Sequence, residues 1–234
     1  MIACETMLPS PTSIMPTRKH LVCIEGGIGV GKTTLLRELE HMGLPGVKVV
    51  YEPVEEWRSV IVNRESGENL LGAMYSGEIS HEAFQLSIMP HRVLKLQAAL
   101  SDPATEVVVS ERSPWSERHV FAKETLAPAA FSAYVWAQNE TLLATNVHDC
   151  EVSFCLLTLP ASVAKKRIEE RGRAEEGGVD VDYLEKLNVA HRALFDLDKS
   201  EFGLRALPLV HTLDASKRPA ELAAWVAKLC AARA

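Results

Sequence analysis

The sequence has little of what marks several large protein classes. Its five cysteines, Cys4, Cys23, Cys150, Cys155 and Cys230, are odd in number and form no C-x-x-C pair. That argues against a disulfide framework and for reduced thiols in an intracellular, cytoplasmic protein. The eight histidines contain no metal pair; His81-Glu82 begins like a zinc-protease helix, but Gln85 stands where a second His is needed. No run approaches the ~18 apolar residues of a membrane span, so no membrane association is expected. A long basic block is also lacking and the formal net charge is −6, so the electrostatic footprint of a nucleic-acid binder is absent. Residues 1–19 carry Pro9, Pro11 and Pro16 among small and polar residues, without the apolar centre of a signal peptide. They read as a flexible tail ahead of a single domain covering residues 20–234.

What is present is a pattern of short apolar runs alternating with helical periodicity. Candidate strands occupy residues 20–25, 47–52, 106–111, 152–159 and 207–213. Candidate helices occupy 32–41, 81–100, 114–123, 129–146, 162–171, 182–199 and 219–232. Continuously apolar strands such as Val107-Val108-Val109 suit a parallel sheet covered on both faces. The expected architecture is α/β, a doubly wound five-stranded parallel sheet.

The strongest local signal is Gly26-Gly27-Ile28-Gly29-Val30-Gly31-Lys32-Thr33, a full G-x-x-x-x-G-K-[ST] between a strand and a helix, followed by Thr34. Glycines let backbone N–H groups curl around phosphate oxygens, and the helix N-terminus adds favourable partial charge. Lys32 is expected to reach the β- and γ-phosphates of ATP, and the Thr33 hydroxyl to ligate Mg²⁺. A GTPase would also carry D-x-x-G and N-K-x-D segments, and a mechanical ATPase a strand ending in Asp; neither pattern occurs. Three strand ends instead carry glutamate: Glu25, Glu52 and Glu111, the last beside Arg112. Ligands gather beyond the carboxyl ends of parallel strands. One of Glu52 and Glu111 would accept the proton of an attacking hydroxyl and the other help hold Mg²⁺, with Arg112 bridging hydroxyl and phosphate.

Four further stretches sharpen this. Glu52-Pro53-Val54-Glu55-Glu56-Trp57, Phe84-Gln85, Glu111-Arg112-Ser113 and the run from Arg167 to Glu176 resemble, in order and spacing, the motif series of the deoxynucleoside kinases. The resemblance implies a P-loop fold with an Arg-rich lid and phosphorylation of a deoxynucleoside 5′-hydroxyl by ATP with Mg²⁺. It implies that Glu52 is the base, supported by Arg112, and that Glu111 holds the metal. Tyr75 and Glu176 would meet the sugar 3′-hydroxyl, and Arg167, Arg171 and Arg173 would close over the phosphates. A homodimer of side-by-side helices is implied as well.

Gln85, Ile88 and Arg92 stand at i, i+3 and i+7 and share one helix face. Gln85 offers a donor and an acceptor to a base edge, with Phe84, Trp57 and Phe121 as apolar walls. Arg92 and Glu117 resemble the arginine–carboxylate pair of the deoxycytidine and deoxyguanosine kinases. A carboxylate there accepts from an exocyclic amino group and repels the O4 of thymine. Deoxycytidine is therefore the expected substrate, with purine deoxynucleosides next and thymidine less favoured. Pro114-Trp115 departs from the smaller or single-ring residues usual after Arg-Ser in the family, and the P-loop is also similar to that of herpesviral thymidine kinases, which leaves thymidine-tolerant specificity open. The rival activity is a nucleoside monophosphate kinase of the thymidylate kinase type, which typically shows Asp-Arg-Tyr or Asp-Arg-Phe where this chain has Glu111-Arg112-Ser113. A non-catalytic nucleotide-binding module would explain Lys32 and Thr33 but not the additional acids and arginines.

Overall fold

The computed structural model describes residues 18–173 and 176–232. Residues 1–17, most of the expected tail, and Ala174-Glu175 in the arginine-rich stretch lie outside the described residues. Five strands, β1 (His20–Glu25), β2 (Val47–Val50), β3 (Val107–Glu111), β4 (Glu151–Thr158) and β5 (Leu209–Asp214), form one sheet in the order β2-β3-β1-β4-β5. Every pairing is parallel, as the apolar strand runs predict.

The helices follow in chain order: α1 (Lys32–His41), α2 (Val54–Ser59), α3 (Leu70–Ser76), α4 (His81–Ser101), α5 (Pro114–Ser116), α6 (Lys123–Thr125), α7 (Pro128–Leu143), α8 (Ala161–Arg171), α9 (Val181–Leu194), α10 (Lys199–Phe202) and α11 (Pro219–Ala231). A π-helical turn, Glu117–Ala122, joins α5 to α6. The period-2 alternation of strand side chains divides the core in two. Leu21, Cys23 and Val108 point into the layer that contains Val93 and Leu96 of α4 and Tyr134 of α7. Val22, Ile24, Val107 and Val109 point into the other, with Leu35, Leu36 and Leu39 of α1 and Val226 of α11. Each such aliphatic side chain withdrawn from water contributes roughly 1.5–3 kcal/mol, so both faces of β1 and β3 are locked and their carboxyl ends are held rigidly.

Several boundaries differ from expectation: the helix expected over 114–123 is broken by the π-helical turn, the one over 129–146 ends at Leu143, and the strand over 207–213 starts at Leu209. β2 stops at Val50, so Glu52 lies two residues beyond the strand. Pro53 offers no N–H to a ladder, and the Val54 N–H donates to the Glu52 carbonyl at 2.8 Å, turning the chain into α2. The helix expected over 182–199 ends at Leu194, and α10 starts separately under an Asp198 side-chain cap. Helices α2 and α3 were not foreseen; at six and seven residues they are too short to establish a helical period. Among the described residues no helix is long and apolar enough to cross a membrane.

Candidate functional site

The carboxyl ends of β1, β2 and β3 open into a cleft of about 1190 Å³. All the expected site residues line it except Gly26 and Gly27, whose carbonyl oxygens accept from the cleft residue Lys32. The loop between β1 and α1 is tightly wrapped. Gly26 has φ +133°, and a Cβ there would lie 2.6 Å from the Leu157 carbonyl oxygen. Gly29 has φ +78°, and a Cβ would lie 2.7 Å from the Ala164 carbonyl oxygen. Both positions therefore exclude any side chain. Lys32 Nζ donates to the carbonyl oxygens of Gly26 at 3.1 Å and Gly27 at 2.7 Å. Burial, reinforced by Arg112, lowers its pKa to about 7. The Thr33 hydroxyl donates to Glu111 Oε1 at 2.9 Å, so the two oxygen donors expected to hold magnesium are adjacent. Oxygen ligands of this kind suit a hard cation that keeps several waters.

Arg112 is the one non-glycine residue among those described with positive φ, at +66°. Its N–H still donates to the Ile24 carbonyl at 2.9 Å, so the chain stays against β1 and then turns sharply. This strained conformation throws the guanidinium back over the sheet. There Nε donates to Glu52 Oε2 at 3.2 Å and a terminal nitrogen donates to the Gly26 carbonyl at 3.0 Å. The guanidinium carbon lies 4.5 Å from the centre of the Phe121 ring. On its other oxygen, Glu52 accepts from Arg92 at 3.0 Å. Burial raises the Glu52 pKa, but Arg112, Arg92 and Lys32 together override it and hold the carboxylate at about 2.

The face of α4 presents Gln85, Ile88 and Arg92 to the cleft, as their spacing requires. Trp57 and Phe84 meet edge to face, with ring centres 6.1 Å apart, and Trp57 Nε1 donates to His91 Nδ1 at 3.1 Å. The π-helical turn inserts an extra residue into the helix after β3, a device found often at functional sites; here both Glu117 and Phe121 reach the cleft wall. Glu117 is 1% exposed. Its Oε2 lies 3.7 Å from Arg92 Nε, and burial raises its pKa to about 7 against the pull of Arg92. Neither Glu117 oxygen makes a hydrogen bond, nor does Gln85 Oε1, so the cleft lining holds three buried acceptors without a donor.

On the far wall, Arg167 donates to the carbonyl oxygens of Val30 and Ala215 at 3.2 and 3.1 Å. It braces the phosphate loop against the turn after β5. Arg171 and Arg173 both pair with Glu176. Sequence reasoning missed other residues of the cleft wall, among them Tyr51, Tyr183 and Lys217. Tyr183 had one usable signal, its place in the first turn of the helix that follows the arginine-rich stretch; Lys217 lies in a turn with no pattern of its own.

A phosphate-binding loop, carboxylates at strand ends and clustered arginines around one cleft of a parallel sheet define a P-loop phosphotransferase. The family model for deoxynucleoside kinases matches residues 22–226. The chain is 31% identical to a deoxycytidine kinase of Mus musculus, with 89% of each chain covered. It is 30% identical to a thymidine kinase of Ictalurid herpesvirus 1, over 79% of this chain and 78% of the relative. It is also 30% identical to deoxycytidine kinase 2 of Gallus gallus, over 74% and 73%. The chain belongs to the deoxynucleoside kinase family and is a deoxynucleoside kinase.

Proposed function

We propose that the enzyme transfers the γ-phosphoryl group of ATP to the 5′-hydroxyl of deoxycytidine in preference to thymidine, with purine deoxynucleosides as secondary substrates. The observation that carries this preference is the trio of buried acceptors, Gln85 Oε1 and the two Glu117 oxygens, which make no hydrogen bond. An exocyclic amino group supplies the donor they lack. The O4 of thymine would leave them unmatched, at a cost of about 1–3 kcal/mol.

In this reading the sugar lies between Tyr75, Glu176 and Glu52, and the base between Phe84, Trp57 and Phe121. Glu52 accepts the proton of the 5′-hydroxyl while Arg112 holds that carboxylate in place and faces the moving phosphoryl group. Lys32 leaves the Gly26 and Gly27 carbonyls for the β- and γ-phosphates. Thr33 and Glu111 would hold magnesium, which when bound neutralises charge between those phosphates. Arg167, Arg171 and Arg173 act as the lid, turning from the Val30 and Ala215 carbonyls and from Glu176 to offset charge on the equatorial oxygens and exclude water. The carboxylate at position 52 suits a neutral hydroxyl acceptor and would repel the phosphate of a monophosphate acceptor, which weighs against a thymidylate-kinase-type activity. Exposed Leu94 on α4 and Trp136 and Leu143 on α7, two helices that pack together, support a homodimer formed through this face. The free thiols of Cys23, Cys150, Cys155 and Cys230 support a reducing, cytoplasmic setting.

Steady-state kinetics with ATP on deoxycytidine, thymidine and deoxycytidine monophosphate test the proposal. The expected result is a kcat/KM for deoxycytidine about tenfold or more above that for thymidine, with no turnover of the monophosphate. A thymidine preference overturns the base assignment, and turnover of the monophosphate overturns the acceptor assignment.

A further inference from the structure

Beneath the phosphate loop, two ionisable side chains face each other without a part in the proposed reaction. Glu25 ends β1 immediately before Gly26, and His191 projects from α9. Their side chains are 0% and 1% exposed, and Glu25 Oε2 lies 4.0 Å from His191 Nε2. Neither oxygen of Glu25 makes a hydrogen bond, and neither does Nε2 of His191. The other ring nitrogen, Nδ1, is 2.7 Å from the Leu187 carbonyl oxygen. A carbonyl can only accept, so Nδ1 carries the ring proton and Nε2 of a neutral imidazole is an acceptor. Two buried acceptors facing each other are costly unless a proton lies between them.

The neighbours decide where that proton rests. Ser113 and Ser116, which flank Pro114-Trp115 in α5, direct their hydroxyls to each other and to the Ser113 carbonyl and lie near enough to the Glu25 carboxyl to act on it as donors. Arg112 and Lys32 are the cations that face the carboxyl, and together with the serines they favour its ionised form. Cys23, on the same strand, is buried and held as a thiol. Burial outweighs the cations and raises the Glu25 pKa, while burial and then Arg112 lower that of His191 to about 3. The imidazole is therefore neutral, its own proton is spent on the Leu187 carbonyl, and a proton lying between Nε2 and Glu25 belongs to the carboxyl. Phe121 stands between the two systems, 6.0 Å from the His191 ring in an edge-to-face contact and under the Arg112 guanidinium.

The location gives this neutrality a consequence. The Gly26 carbonyl, one residue on, accepts from both Lys32 and Arg112. A carboxylate at Glu25 would compete with Glu52 and Glu111 for those two cations from the wrong side of the loop. Helix α9 also abuts the loop at a second point: a Cβ on Gly27 would lie 3.4 Å from Oδ1 of Asn188, one turn before His191. We propose that Glu25 is kept as a neutral acid donating a hydrogen bond to His191 Nε2, and that this uncharged clamp positions the phosphate loop and leaves the Lys32 and Arg112 charges directed into the cleft. The closing of the gap to hydrogen-bond length requires a movement of about 1 Å. Glu25 and His191 are positioning residues, and their effect on rate rests on the roles proposed above for Lys32 and Arg112.

The test combines infrared spectroscopy with kinetics on the full chain. The difference spectrum between wild type and E25Q at neutral pH is expected to show the C=O stretch of a protonated carboxyl, and H191F is expected to shift that band. This readout does not depend on turnover, so it separates the protonation claim from the reading of the cleft. A difference spectrum showing only ionised carboxylate overturns the proposal. In kinetics, E25Q retains a neutral donor to Nε2 and is expected to keep kcat within about threefold of wild type, whereas E25A is expected to lose about tenfold or more in kcat with the deoxynucleoside KM changed less than about twofold. E25Q as impaired as E25A, or E25A equal to wild type, refutes the clamp. Should E25A fail to fold, the infrared band and the E25Q rate decide the matter.

Discussion

Glu117 makes the site's electrostatics measurable without any substrate. Its ordinary value near 4.5 is raised to about 7 by burial, with Arg92 opposing. Unfolding returns the carboxyl to water, so between these values the folded protein binds more protons than the unfolded chain. Stability from this group is complete below pH 4.5 and is lost as pH rises through about 7. The full difference corresponds to about 3 kcal/mol, at about 1.4 kcal/mol for each tenfold change in the protonation equilibrium. Between about pH 5 and about pH 7.5 the loss is about 2 kcal/mol.

Other groups titrate nearby and must be removed from the comparison. His191 and His119 are lowered by burial to about 3 and about 4, so each destabilises the fold as pH falls below 6.5. Lys32, lowered to about 7, contributes on the alkaline side. Substituting Glu117→Gln keeps these groups and deletes only the titrating carboxyl. Urea unfolding of the ligand-free proteins at about pH 5 and about pH 7.5, extrapolated linearly to water, gives two stabilities for each. Wild type is expected to lose about 2 kcal/mol more than E117Q between these conditions. An equal change in the two proteins refutes a buried carboxyl titrating near neutrality. In the proposed function, the same protonation turns Glu117 into a donor to thymine O4, so the ratio of kcat/KM for deoxycytidine to thymidine is expected to fall at the acidic end.

Replacing Glu52 by Gln is expected to lower kcat by about 10²–10⁴-fold while ATP affinity stays within about twofold, as measured by single-turnover assays and calorimetry; a kcat near wild type refutes its role as proton acceptor. Trp136→Asp, placed where the side chain is 67% exposed, is expected to shift a dimer to monomer in sedimentation velocity without altering the circular dichroism spectrum. A wild-type protein that sediments as a monomer removes the homodimer from the proposal.

The parts of this architecture that could be read from sequence are those in which chemistry and spacing are local. The phosphate loop is contiguous, and its glycines are imposed by close backbone approaches that no other residue tolerates, as at Gly26 and Gly29. Gln85, Ile88 and Arg92 share a face because they lie on one long helix, α4, whose period is maintained over 21 residues. The strands β1, β3 and β4 were legible because both of their faces are buried and so must be mostly apolar.

What escaped depends on distant partners or on backbone geometry. The positive φ of Arg112 has no marker in the sequence, since arginine rarely adopts it and only the neighbouring β1 makes it tolerable. The π-helical turn at Glu117–Ala122 leaves no change in composition. The bridging of Glu52 by Arg112 and Arg92 joins residues 60 and 40 positions apart, and neither contact could be counted along the chain. Glu52 read as a strand end because apolar β-branched residues lead up to it, whereas the ladder lapses at Val50 once the chain begins to turn toward Pro53.

That two-arginine bridge bears on how the proposed reaction runs. A carboxylate held at about 2 is a weak base, far from the neutral value at which general-base catalysis is most effective. The difficulty lessens for phosphoryl transfer, whose transition state is loose: the bond to the attacking oxygen is little formed, so the hydroxyl proton becomes acidic late. A weak base is then sufficient, and what the reaction requires early is orientation. Fixing Glu52 on both oxygens provides that, because a carboxylate gripped by two guanidiniums has one geometry in which to receive the hydroxyl. It also keeps Glu52 ionised across the whole physiological range, so an acidic loss of kcat/KM near neutrality belongs to another group. Glu117, at about 7, changes charge there in the base pocket, as Lys32 does in the phosphate loop, while the carboxylate that receives the proton stays ionised.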